Sequence, residues 1–134
     1  MSHAALASRL RTTTPVFLVA DIATTMEWYR EKLGFQADPF PPSPPYAFCI
    51  LRRDDVEIFL QQLDGYRKLD VYQQRCGGVW DAYIRMDGVR DLFNTISSMD
   101  GVELIEPLHR QPYGQWEFEL QDPNGYVLVF AEPS

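Results

Sequence analysis

A chain of 134 residues has room for one domain and for a core that needs no disulfide or metal staple. It is 46% apolar and 23% charged, an ordinary globular balance, and its net charge of −7 speaks against nucleic acid, which calls for a concentrated basic surface. No apolar run approaches the ~20 residues of a membrane span, no leader-like apolar segment is visible, and the two cysteines, Cys49 and Cys76, make no disulfide framework, so a reduced cytoplasmic setting is expected.

Residues 1–12 carry no pattern and are expected to fray. Thr14 to Ala20 is β-prone, with Phe17 and Val19 on one face and Thr14, Val16 and Leu18 on the other. Asp21 is placed to cap a helix whose apolar positions Ile22, Met26, Tyr29 and Leu33 share one face, and Gly34 can close it in the left-handed conformation. A strand begins at Phe35-Gln36-Ala37. The proline-rich run Pro39 to Pro45 can be neither helix nor central strand and predicts a stiff extended loop, either a spacer or a lip over a pocket. Tyr46 to Arg52 and Val56 to Gln62 predict two more strands around an Arg53-Asp54-Asp55 turn. Leu63 to Gly78 has no clear period and reads as a linker with room for one helical turn.

The order then recurs. Val79 to Met86 alternates, with Ala82, Ile84 and Met86 opposite Asp81, Tyr83 and Arg85. Val89, Phe93, Ile96 and Met99 mark a second helix, and Gly101 follows it as Gly34 followed the first. Val102 to Ile105 predicts a strand and Glu106 to Pro112 a loop. Gln115 to Gln121 alternates strictly, with Trp116, Phe118 and Leu120 opposite Glu117, Glu119 and Gln121. Asp122-Pro-Asn-Gly125 is a strong turn, and Tyr126 to Ala131 is a buried strand.

Gly34 and Gly101 stand 67 positions apart, and the same offset sets Ile22 on Val89, Met26 on Phe93 and Phe17 on Ile84. Late in each half the offset is 70, pairing Ile58 with Leu128. The expectation is an α+β fold of two tandem βαβββ modules, residues 13–62 and 79–132, joined by linker 63–78 into one structural domain. Each helix can cover only one face of its sheet, so the two free faces should curve around a cleft.

Three pieces, Pro15-Val-Phe-Leu-Val-Ala-Asp-Ile22, Glu27-Trp-Tyr-Arg-Glu-Lys-Leu-Gly-Phe35 and Gln111-Pro-Tyr-Gly-Gln-Trp-Glu-Phe-Glu-Leu-Gln-Asp-Pro-Asn-Gly125, resemble the glyoxalase / bleomycin-resistance protein / extradiol-dioxygenase superfamily, also called the vicinal oxygen chelate fold. Asp55-Val-Glu-Ile-Phe59 and Gln111 to Phe118 are most similar to its bleomycin-resistance branch. Enzymes of the superfamily hold a divalent ion on cleft-facing strand positions, which the resemblance carries onto Thr14, Phe59, Asp81 and Val129. Three of the four offer no useful donor, and a one-residue shift of the outer strands brings only Pro15, Leu128 or Phe130. Glu57 is the one candidate partner for Asp81. His3 and His109 lie in a tail and a loop, so no metal site and no cofactor are expected.

The resemblance then implies a metal-free binder that sequesters a drug-like molecule, with a homodimer building the grooves. Tyr46, Phe48, Glu57, Phe59, Asp81, Tyr83, Arg85, Tyr113, Glu117, Glu119 and Val129 are the expected ligand-binding residues. Rings and carboxylates together suit a flat cationic molecule. Each also has a plainer reading: Trp116 as core, Glu117 and Glu119 as a solvated strand face, Arg85 as a partner for a carboxylate. The alternatives are a metal-dependent lyase or dioxygenase using Asp81 and Glu57, and a non-enzymatic domain whose trough takes a peptide or partner protein. No nucleophile motif or phosphate-binding glycine loop is present.

Overall fold

The carboxylate of Asp21 accepts from the Thr24 backbone N–H at 3.4 Å and its hydroxyl at 2.9 Å, which starts the first helix, and Gly34 ends it at φ 70°. The computed structural model describes residues 7–75 and 77–134, so His3 and Cys76 lie outside the described residues. Residues 8–12 are exposed and irregular. The elements run β1 (Val16–Val19), α1 (Ile22–Leu33), β2 (Gln36–Phe40), β3 (Phe48–Arg53), β4 (Val56–Gln62), α2 (Tyr72–Arg75), β5 (Ala82–Arg85), α3 (Val89–Ser97), β6 (Glu103–Arg110), β7 (Gln115–Gln121) and β8 (Val127–Pro133).

Two mixed four-stranded sheets result, in the orders β1-β4-β3-β2 and β5-β8-β7-β6. In each, the first and last strands of a unit pair in parallel and the others are antiparallel. The registers repeat the offsets of the sequence: Val16 stands beside Phe59 as Tyr83 stands beside Val129. This is the α+β architecture of paired βαβββ modules that the duplication implied.

The helices cover one face of each sheet. Ile22, Tyr29 and Leu33 of α1 bury with Cys49, Leu51, Ile58 and Leu60; Val89 and Ile96 of α3 bury with Phe118, Leu120, Leu128 and Phe130. Phe118 packs on Phe130 and Phe93 at ring distances of 5.2 and 5.4 Å. The β7–β8 turn ties the halves together. Asp122 accepts from the backbone N–H of Asn124 and Tyr126 at 2.8 and 2.9 Å and from the Tyr29 hydroxyl at 2.7 Å. Tyr126 stacks on Phe17 at 4.1 Å and donates to the Leu18 carbonyl at 2.6 Å, and Trp28 donates to the Gly101 carbonyl at 2.8 Å. Burial, reinforced by Asp122, raises the Tyr29 hydroxyl's pKa well above its ordinary value.

Two loop expectations are corrected. Pro39 and Phe40 belong to β2, and Pro107 lies inside β6, where a loop was expected from Glu106. Both strands are sheet edges, where a residue without an N–H can sit with no ladder bond lost. In β6 the pairing also slips between Leu104 and Glu106 and between Glu106 and His109, so Pro107 falls in an irregular stretch. The linker does contain a single helical turn, α2. No helix among the described residues is long and apolar enough to cross a membrane.

Candidate ligand-binding site

The faces not covered by helices carry the expected site residues other than Tyr46, and the two modules treat them differently. On the first sheet, Phe48 and Phe59 meet edge-to-face at 5.1 Å, and Arg52 binds Glu57 at 2.6 Å with Asp38 at 3.6 Å. This face is open: Val16 is 49% exposed and Phe40 67%. Tyr46 is not on it; the ring packs against the buried core.

On the second sheet the strictly alternating strand does what its period dictates, and the polar face is then closed over. Glu117 is fully buried and Glu119 nearly so, which removes the solvated-face reading of both. The hydroxyls of Tyr83 and Tyr113 both donate to Oε2 of Glu117, the latter at 2.6 Å, and the Trp80 indole N–H donates to Glu119 at 3.3 Å. Trp80 also lies against Tyr83 at 5.3 Å. Desolvation, with Glu117 second, pushes the Tyr83 hydroxyl up to about 12 and raises that of Tyr113 as well. Among the described residues Arg85 pairs with no carboxylate; its guanidinium lies over the Tyr83 ring at 5.3 Å. Trp80, Tyr83, Arg85, Tyr113 and Gln115 line a hollow of about 550 Å³. Val129, flanked by Tyr83 and Glu119 in the ladder, is fully buried beneath this layer and offers no open surface.

Between the two sheets, Thr14, Glu57, Asp81, Tyr83 and Arg85 come together along a groove of about 430 Å³. Thr14 and Asp81, two of the four positions onto which the resemblance carries the superfamily's ion, line this groove; Phe59 and Val129 do not, and the four residues together do not fit a metal. Phe59 and Val129 carry no donor. Asp81 already accepts from the Val127 backbone N–H at 2.8 Å and pairs with Lys68 at 3.4 Å, while Glu57 is held by Arg52. Among the described residues no three His, Cys, Asp or Glu side chains group as a metal site. His109 turns to the Pro107 carbonyl at 2.8 Å and the Gln111 amide at 2.9 Å.

Two contributors were missing from the expected set. Gln115 shares the period-two face of Glu117 and Glu119, so its place was legible in the alternation. Lys68, which also lies 5.4 Å over the Tyr126 ring, comes from the aperiodic linker and had no sequence signal.

A family model for the Glyoxalase/Bleomycin resistance protein/Dioxygenase superfamily matches residues 9–130. The chain belongs to that superfamily. Solved structures with the same fold include TioX from Micromonospora sp. ML1 (14% identity, 92% of this chain and 97% of that one, TM-score 0.70). A glyoxalase-related enzyme from Clostridium phytofermentans is similar at 16% identity, with 96% and 98% covered and a TM-score of 0.71. The bleomycin-binding protein of bleomycin-producing Streptomyces verticillus, complexed with copper(II)-bleomycin, is similar at 20% identity, with 95% and 99% covered and a TM-score of 0.68. At these identities the likeness is one of fold. No curated protein matches. The superfamily thus holds both enzymes and binders with this backbone, and the choice between them rests on the side chains.

Proposed function

We propose that this superfamily member is a metal-free binding protein of the bleomycin-resistance type, which sequesters a flat, cationic, drug-like molecule in the cytoplasm without transforming it. One observation carries this reading: three of the four positions where the superfamily's enzymes keep their ion are hydroxyl, ring and hydrocarbon here and the fourth, Asp81, is already bonded to Val127 and Lys68, while the adjoining face combines three aromatic side chains with two buried carboxylates. Rings supply stacking area and attraction for a cation, and carboxylates supply charge-assisted hydrogen bonds. The partner we propose for the open first-sheet face is a second copy of the chain, as in the resistance proteins it resembles; light scattering should then give a mass of two chains.

The direct test is titration of a bleomycin-class drug at low salt, followed by tryptophan fluorescence, because Trp80 stands at the hollow. Saturable quenching is expected; a flat response up to high micromolar drug removes this class of ligand. Stoichiometric zinc, nickel, manganese or iron in the purified protein, together with turnover abolished by a chelator, would instead establish the lyase or dioxygenase alternative.

A further inference from the structure

Glu117 is a buried carboxylate with half of its bonding capacity unused. Its Oε2 takes both tyrosine hydroxyls, but its Oε1 is buried and has no hydrogen-bond partner. Among the described residues no Lys, Arg or His nitrogen lies within ion-pair distance of it. Two residues earlier on the same strand face, Oε1 of Gln115 is likewise buried and unpartnered. A buried acceptor without a donor is costly, and a buried carboxylate without a cation more so. The two acceptors stand two residues apart on one strand face: Gln115 lines a hollow with Trp80, Tyr83 and Tyr113, and Glu117 is bonded to both of those tyrosines, so a donor that enters past them completes the pair.

We infer that this hollow receives one particular end of the ligand: a protonated amidine or amine with at least two N–H groups, one donated to Glu117 Oε1 and another to Gln115 Oε1, its body held against the aromatic rings. The inference rests on the binding reading above and specifies its chemistry. A neutral amide brings N–H donors without charge; a quaternary ammonium brings charge without donors. Neither satisfies both acceptors and the unpaired carboxylate. The face of Tyr83 already accepts a planar cation, since the Arg85 guanidinium lies on it. Arg85 therefore competes with the ligand instead of holding it. Entry is by way of Tyr113, which is 56% exposed and sits on the short turn between Gln111 and Gly114, where a ring can swing without disturbing the sheet.

The test compares three small probes on the full chain: benzamidine, its neutral relative benzamide, and phenyltrimethylammonium. Binding is read from the NMR shift of the Trp80 indole N–H. Benzamidine should bind at least tenfold more tightly than either of the others. E117Q, which keeps an acceptor for the two phenols, should erase that advantage, and Q115L, at a half-buried position, should weaken benzamidine severalfold if E117Q does not fold. R85Q should tighten benzamidine severalfold. Equal binding of the three probes, an unchanged preference in folded E117Q, or unchanged benzamidine affinity in Q115L overturns the inference. The broader reading fails separately. A bleomycin-class drug that binds wild type and E117Q alike leaves sequestration standing and removes this subsite. Selective benzamidine binding with no drug binding keeps the subsite and rejects that drug.

Discussion

The two modules are the same on the side that meets the helices and opposite on the side that does not. By their ladder registers, Cys49 and Leu51 of β3 occupy the places in the first module that Phe118 and Leu120 of β7 occupy in the second, all fully buried. Phe48 and Ile50 likewise correspond to Glu117 and Glu119. The first free face is therefore open, with rings beside an exposed ion pair; the second is acidic and closed over by Trp80, Tyr83 and Tyr113. Duplication preserved the face that folding requires and released the other. A buried carboxylate contributes less to stability than a hydrocarbon of similar size, so the second face is arranged at some cost to folding, and a ligand is the natural compensation.

The strongest check of the shared side is a matched pair of truncations. Leu51→Ala and Leu120→Ala should each cost about 2–5 kcal/mol in urea unfolding, the usual penalty for deleting a fully buried leucine. Values that differ by more than this range would break the equivalence of the two cores. On the differing side, Glu117→Ala strands two phenolic donors and should cost about 2 kcal/mol. Its counterpart Phe48→Ala, at a half-buried position on the open face, should cost about 1 kcal/mol. An inverted order would mean that the carboxylate is not integrated into the fold as its hydrogen bonds indicate.

Alkali should also separate the faces. The Tyr83 hydroxyl is pushed up to about 12 from its ordinary 10.0, and those of Tyr113 and Tyr126 are raised, all first by desolvation. A pKa higher in the folded chain than in the unfolded one stabilises fully below about pH 10, and that contribution is lost as pH rises through the folded value. Stability should hold to about pH 10 and fall through pH 12, with tyrosinate absorbance at 295 nm appearing together with unfolding. Tyr83→Phe should make that fall shallower. Early tyrosinate absorbance in a protein that is still folded would show the second face to be wet.

Much of this was legible in the residues. Alternation placed Glu117 and Glu119 on the free face, helical spacing placed Tyr29 and Ile96 in the core, and the 67-position offset gave the paired architecture. What a period of two cannot say is what lies over a face. Glu117 is bonded by Tyr83 from β5, across the intervening β8, and by Tyr113 from a turn, and Asp81 is answered by Lys68 from an aperiodic linker. The Tyr83 contact spans 34 positions, and the other two depend on the course of a turn and of an aperiodic linker, none of which an alternation of two encodes. Pro107 misled for the opposite reason: the local rule against proline in strands was applied without knowing that this strand would be an edge.

The smallest expected effect is the most discriminating about charge. The first face has its own carboxylate, Glu57, and unlike Glu117 it has a cation, Arg52, at 2.6 Å with both side chains more than a third exposed. Water competes for such a pair, salt screens it, and holding two long side chains in one geometry offsets much of the attraction. Arg52→Ala should therefore leave the urea midpoint unchanged within error, at low and at high salt. If it instead destabilised the protein as Glu117→Ala does, the first face would be covered in solution, and the contrast between an open and a closed module would describe the isolated chain only.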